Sequence, residues 1–270
     1  MKNSIKEIIK KYFRFAVDLT IRTQFFLTKY KIENPPIIIF TPGKVGSTSV
    51  YKSVKKQLSN PIYHVHSLSK NSIDNSFAFH KKRKIAYPLH LTISKYLEKK
   101  LNAYHSDVFI ITIIREPISR MISSYFQNID RYNNNGLNII NAKNVISQHL
   151  KDAVSYYDNW FKIQIANNFG IDIYNDAYLS KESYRLYKKG RINLMLIRME
   201  DLDENFEDIS KIFLNLQTGI KLEKHNIGKN KHYSNFYKKV KNNIEIEDNL
   251  IKKLRSTKFY KEFYFENSIK

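Results

Sequence analysis

The chain has 270 residues, no cysteine and a formal charge of +21, from 46 Lys and Arg against 25 Asp and Glu. That length suffices for a large buried core in one or two domains, and the missing cysteines exclude disulfides and Cys-ligated zinc or iron–sulfur centres. The charge points to an anionic partner (nucleic acid, a phosphate-bearing cofactor, an acidic glycan or a lipid headgroup) without choosing among them.

Apolar residues at Ile5, Ile8, Ile9, Phe13, Val17, Ile21 and Phe25 recur with helical spacing among basic ones, so Lys2–Lys31 reads as a basic amphipathic helix. We divide the chain into this N-terminal segment, 1–34, and a domain over 35–270. The longest apolar candidate, Phe13–Tyr30, is interrupted by Arg14, Asp18, Arg22 and Lys29 and does not suit a bilayer span. No signal-peptide pattern precedes it. The expected location is cytoplasmic, with Lys2–Tyr30 either resting on the inner membrane as a peripheral contact or packed on the domain.

Asn34-Pro35-Pro36 resets the chain, and Ile37–Phe40 is a continuous apolar run suited to a buried parallel strand. Thr41-Pro42-Gly43 breaks it and Ser47–Leu58 is helical. Pro61–His66 reads as a second strand, Ser67–His80 as a polar loop, His90–Leu101 as a helix and Val108–Ile114 as a third buried strand. Arg115-Glu116-Pro117 turns into a helix with Pro at its first position, where the missing N–H costs nothing, running to about Tyr132 before Asn133–Gly136 stops it. Lys143–Asn168 reads as one longer amphipathic helix carrying the only Trp, Trp160. Asn193–Arg198 is another strand, and Leu202–Leu216 a helix capped by Asp203. From His225 onward the chain is basic, aromatic and mostly helical. Strands alternating with helices predict an α/β domain, a three-layer α/β/α arrangement around a central parallel sheet.

Within that pattern, Ile37–Val50 combines a strand, a tight loop and a helix start. Gly43 and Gly46 let backbone approach a ligand, Lys44 adds a full charge, and Ser47, Thr48 and Ser49 supply hydroxyls at a helix N-terminus, which attracts anions. The register departs from a nucleotide-binding Walker A loop, where Lys follows the second Gly, and no dinucleotide fingerprint is present. At the end of the third strand, the Arg115 guanidinium fork suits a phosphate, and Ser119 and Ser123 share one helical face. His64 and His66 stand at i, i+2 on one strand and so point to one side, with Val65 opposite. Such a pair could serve as a base and its orienter, ligate a metal, or be structural.

Thr41-Pro-Gly-Lys44-Val-Gly46-Ser47-Thr48-Ser49 resembles the 5′-phosphosulfate loop of sulfotransferases, which use 3′-phosphoadenosine 5′-phosphosulfate (PAPS). Arg115-Glu-Pro117-Ile-Ser-Arg120-Met-Ile-Ser123 resembles that family's second signature. The likeness spans roughly Ile37 to Phe213 and looks closest to carbohydrate and bacterial capsular-polysaccharide-type members, helped by Asp158–Phe161 and Phe169–Asp172. It implies a P-loop-NTPase-like sulfotransferase fold, PAPS as donor and a carbohydrate hydroxyl as acceptor, with no metal and no specific nucleic acid.

The resemblance also implies roles for residues. Lys44, Gly46, Ser47, Thr48 and Ser49 would hold the phosphosulfate, and Arg115 and Ser123 the 3′-phosphate. Lys229, Lys231 and Tyr233 would come from a late basic loop over the donor. Glu200 and Asp201, in a stretch resembling a late family strand, would serve structure. The His64-Val65-His66 pattern resembles uronyl-directed 2-O-sulfotransferases, which makes His66 the expected base, His64 its orienter or substitute, and Lys44 the group that neutralises the leaving phosphate. Trp160 could stack on a sugar or pack in the core. Two other readings stay open: a kinase on a similar sheet, and a basic nucleic-acid-binding protein.

Overall fold

The computed structural model describes residues 16–23, 25, 33–83, 87–129, 138–225 and 233–265. Six strands form one sheet: β1 (Ile37–Phe40), β2 (Ile62–Val65), β3 (Val108–Ile114), β4 (Ala177–Ser180), β5 (Tyr184–Lys189) and β6 (Ile192–Arg198), in the spatial order β2-β1-β3-β6-β5-β4. β2, β1, β3 and β6 run parallel, while β5 and β4 are antiparallel. The sheet is therefore mostly parallel, not wholly so as the strand–helix alternation predicts. β4 and β5 were missing from that prediction because both lack the continuous apolar run of a central strand: β4, at the edge, has no buried residue, and β5 buries only Leu186 and Tyr187. A signal was present: Lys189↔Ile192 pairing across Gly190-Arg191 is a two-residue hairpin, with Gly190 at φ 54°.

Around the sheet lie α1 (Ser47–Gln57), α2 (Lys70–Lys82), α3 (Leu89–Asn102), α4 (Pro117–Gln127), α5 (Ile139–Asp152), α6 (Tyr156–Phe161), α7 (Leu202–Leu214), α8 (Ser234–Asn243), α9 (Asp248–Ser256) and α10 (Lys258–Phe263). Strand side chains alternate between faces. Ile37, Ile39, Ile111 and Ile113 pack under α1 and α7, while Ile38, Phe40, Ile110 and Ile114 pack under α3, α6 and α10. A third cluster, built by α4, α5, α8 and α9, is separate from both. Among the described residues no helix is long and apolar enough to cross a membrane.

Three expected elements need correction. Ser67–His80 is largely helix α2, whose polar surface hid it, since Ile73 is its one buried residue. The single helix over Lys143–Asn168 is instead α5, a break at Ala153–Ser155, then α6 continuing through a π-helical turn, Lys162–Ala166, into Asn167–Phe169. The break follows from packing: Ile146 and Leu150 belong to the third cluster, whereas Tyr157, Trp160 and Phe161 face the sheet. Helix α7 starts after a 3₁₀ turn with Asp201 at its cap position. Asp203 caps nothing and pairs with Lys224 at 2.6 Å. Of the N-terminal helix, 16–23 and 25 are described; Ile21 and Phe25 are buried, Phe25 stacking on Tyr63 at 5.0 Å.

Candidate active site

β1 and β3 are neighbours whose connections leave in opposite directions across the sheet, so a crevice opens beyond their carboxyl ends, the usual ligand position in such sheets. A cleft of about 720 Å³ lies there. It brings together Lys44, Gly46, Ser47, Thr48, Ser49, His64, His66, Arg115, Ser123 and Tyr233 from five separate stretches of chain. Lys229 and Lys231 lie outside the described residues.

The loop after β1 is held in an uncommon shape. Lys44 has φ 74° and Gly46 φ 75°. The left-handed region is free for Gly but costs a Lys roughly 1–2 kcal/mol. The second motif restrains this shape by two hydrogen bonds: Arg115 Nη1 donates to the Lys44 carbonyl (3.3 Å) and Arg120 Nε to the Gly43 carbonyl (2.9 Å). The Lys44 ammonium donates to the Gln127 side-chain oxygen at the end of α4. Helix α1 then begins with no side-chain cap and no acidic residue in its first turn. Ser47 and Thr48 line the cleft, and no side chain caps the amides of this first turn.

Arg120 is 8% exposed. Its guanidinium carbon lies 4.0 Å from the centre of the Tyr156 ring, and among the described residues neither Arg115 nor Arg120 meets a carboxylate. Arg115 joins Lys44 in the lining of the cleft, which favours an anionic ligand. Sequence reasoning quoted Arg120 within the motif and gave it no role; its grip on Gly43 is a tertiary contact that spacing does not reveal.

His64 and His66 share a side of the sheet, with ring centres 5.0 Å apart. His64 Nε2 bonds the Ser47 hydroxyl (2.9 Å) and its ring stacks on Tyr51. His66 Nδ1 is 2.8 Å from the Thr41 carbonyl. A carbonyl only accepts, so Nδ1 carries the proton and Nε2 keeps its lone pair. Burial holds His66 below the ordinary imidazole range. The Thr41 bond opposes that shift, and Lys44 and Arg120 reinforce it.

A third imidazole, His90 on α3, stands edge-on to His66 at 4.8 Å. Burial, then the neighbouring imidazoles, push His64 and His90 down to about 4. His90 was not singled out from the sequence, being 24 positions from His66 on a different element with no spacing to betray it. Among the described residues no three His or carboxylate side chains are arranged to hold a metal.

Ser123 faces the cleft on α4. The N-terminus of that helix is closed: the Glu116 carboxylate accepts from the amides of Ile118 (2.9 Å) and Ser119 (2.7 Å). Ser49 lines the cleft with its hydroxyl already engaged. Its hydroxyl accepts from the His225 amide (2.9 Å) and donates to the His225 carbonyl (3.3 Å). Tyr233 is 7% exposed, its ring against Phe126, so it forms wall more than lid. Glu200 accepts from the Glu116 amide and the Tyr264 hydroxyl, and Asp201 from Arg198. Trp160 is buried against Phe40 at 5.0 Å, exposing only an edge.

A family model described as "Putative capsular polysaccharide synthesis protein" matches residues 133–265. No curated protein and no solved structure matches the chain. The family match associates the chain with capsular polysaccharide synthesis. It covers α5 through α10 with β4–β6, and it leaves out Lys44, His64, His66, Arg115 and Ser123.

Proposed function

We propose that this chain is a PAPS-dependent sulfotransferase, acting on a carbohydrate hydroxyl in capsular polysaccharide synthesis. One observation carries the reading. A single cleft holds an uncapped helix start with Lys44, a phosphate-suited pair, Arg115 and Ser123, and an imidazole with a free nitrogen, His66 Nε2. When bound, PAPS supplies an activated sulfuryl group and departs as a bisphosphate.

In this reading the Ser47 and Thr48 amides and Lys44 grip the phosphosulfate end. Their directions are set beforehand by the Arg115 and Arg120 bonds to the loop, so little reorganisation accompanies transfer. Arg115 and Ser123 take the 3′-phosphate by side chains, since Glu116 already occupies the α4 amides. His66 Nε2 takes the acceptor hydroxyl's proton. The Thr41 carbonyl keeps the ring in the required tautomer and steadies the imidazolium that forms. Lys44 neutralises charge growing on the leaving phosphate.

The test is thermal unfolding with 3′-phosphoadenosine 5′-phosphate, AMP and ATP, beside sulfate transfer from PAPS to a glycan panel. The bisphosphate at 100 times its Kd should add about 2.7 kcal/mol, with AMP and ATP far behind. Equal shifts for AMP and the bisphosphate would sink the assignment.

A further inference from the structure

Beside the cleft lies a second pocket of about 280 Å³, on the surface of α6 and its π-helical extension. Its apolar walls are Tyr156, Trp160 and Ile163; its polar groups are Asp152, Ser155, Asn159 and Gln164. The volume sits near the low end of small-ligand pockets, sized for a single ring and not for a nucleotide.

The π turn decides how this surface is shared out. Its wider hydrogen bonding, with the Asn167 amide reaching back to the Lys162 carbonyl, shifts side chains out of α-helical phase. Gln164 turns inward, where its oxygen accepts from the Leu68 amide (2.9 Å), the Ser69 amide (3.1 Å) and the Ser67 hydroxyl (3.3 Å). Ile163 stays at the pocket edge, 42% exposed, and the Asn159 side-chain amide makes no hydrogen bond among the described residues. Isolated π turns of this kind collect at functional sites.

Both walls reach the cleft by direct contact. Gln164 holds the turn that immediately follows His66, and the Tyr156 ring lies under Arg120, which holds the Gly43 carbonyl. All seven lining residues fall within 133–265, the part of the chain that matches the polysaccharide-synthesis family.

We infer that this pocket binds one sugar ring of the acceptor polysaccharide; what happens to that sugar rests on the function proposed above. The C–H faces of a pyranose suit Tyr156, the Trp160 edge and Ile163, and its hydroxyls suit the Asn159 amide and the Asp152 carboxylate. The lining offers a carboxylate and no Lys or Arg, so the ring it takes is a neutral hexose or N-acetylhexosamine, not an acidic sugar.

The experiment uses the full chain and defined oligosaccharides of two to six units, some neutral and some uronate-containing, followed by calorimetry and saturation-transfer NMR without donor. Two exposed positions are varied, Asn159→Ala and Ile163→Glu, each beside the bisphosphate melting shift. Neutral oligosaccharides should bind, each variant should weaken them at least about tenfold (about 1.4 kcal/mol), and the melting shift should stay as in wild type. The inference falls if both variants bind as wild type does, if only uronate-containing chains bind, or if no oligosaccharide binds. Loss of glycan binding in both variants, with no bisphosphate shift and no sulfate transfer in wild type, leaves the pocket standing and removes the sulfotransferase. Normal transfer with an unchanged acceptor KM in both variants does the reverse.

Discussion

Helices α1 and α4 both begin at the carboxyl edge of the sheet, after neighbouring strands, and their first turns are finished in opposite ways. α1 follows a left-handed Gly46 and leaves its first amides uncapped, with no acidic residue near. α4 has Pro117 at its first position and Glu116 folded back onto two amides. A helix start attracts anions because its amides are unpaired and its dipole is positive there. The α4 start has supplied its own anion, whereas the α1 start leaves the place open. On the proposed function, selectivity would come from backbone on the α1 side and from side chains (Arg115 and Ser123) on the α4 side.

The largest effect is expected from His66, the proposed base beside the open start. His66→Ala should lower turnover by roughly 10²–10⁴ while bisphosphate affinity by calorimetry survives. If His64→Ala or His90→Ala is dead and His66→Ala is active, the proton goes elsewhere. The tautomer argument for Nε2 then fails.

Next comes the cation at the open end. Lys44→Ala should cost on the order of 10²–10³ in rate and weaken the bisphosphate as well. A variant with affinity and rate both intact would remove the contrast between the two helix starts, because nothing would then bind at α1.

Acid should reach the open end first, because His64 holds the Ser47 hydroxyl there. His64 takes a proton below pH 6.5 in the unfolded chain but only near pH 4 when folded. Its contribution to stability is therefore complete above pH 6.5 and declines as pH falls toward 4. The loss is on the order of 3 kcal/mol for His64, with His90 and His66 shifted in the same direction. Urea melts at pH 7.5, 5.5 and 4.5 should show the decline, and His64→Phe should flatten it. A wild-type stability that is level across that range would refute the buried, neutral imidazoles.

The smallest effect belongs to the closed end. Glu116→Ala should cost about 1 kcal/mol of stability, as lost caps do, without lowering bisphosphate affinity. A fall in affinity comparable to that of Lys44→Ala would mean that Glu116 positions Arg115 and that the two ends are not independent.

The open end was legible in the sequence because its parts are contiguous. A strand, Gly43-Lys44-Val45-Gly46 and three hydroxyl residues spell it locally, and His64 with His66 stand two apart at the end of β2. Arg115, Ser123 and Pro117 were readable for the same reason. The contacts that make these parts one site were not. Arg120 on Gly43, His90 on His66, Gln164 on Leu68 and Ser69, and the His225 hold on Ser49 each join residues 24 to 176 positions apart, and no local period encodes such pairs. The fold divides similarly. β3 was found with its full bounds because six of its seven residues are buried between layers and they form a nearly continuous apolar run. The β4–β5 edge, half exposed, blended with its surroundings.

Ser49, Ser53 and Gln57 lie four apart along one side of α1, and each fastens the stretch 221–225. Ser49 bonds the His225 backbone, Ser53 Oγ accepts from the Glu223 amide (2.8 Å), and Gln57 exchanges two bonds with the Lys221 backbone (2.8 and 3.0 Å). These seams span 164 to 176 positions. During synthesis the loop after β1 and its helix leave the ribosome long before their wall exists, with polar side chains waiting for a segment still to be translated. Contacts of such separation form late. A nascent chain halted before residue 221 would carry the Gly43–Gly46 loop, both histidines and Arg115 yet lack one side of the cleft, so on the proposed function donor binding would switch on near the end of translation.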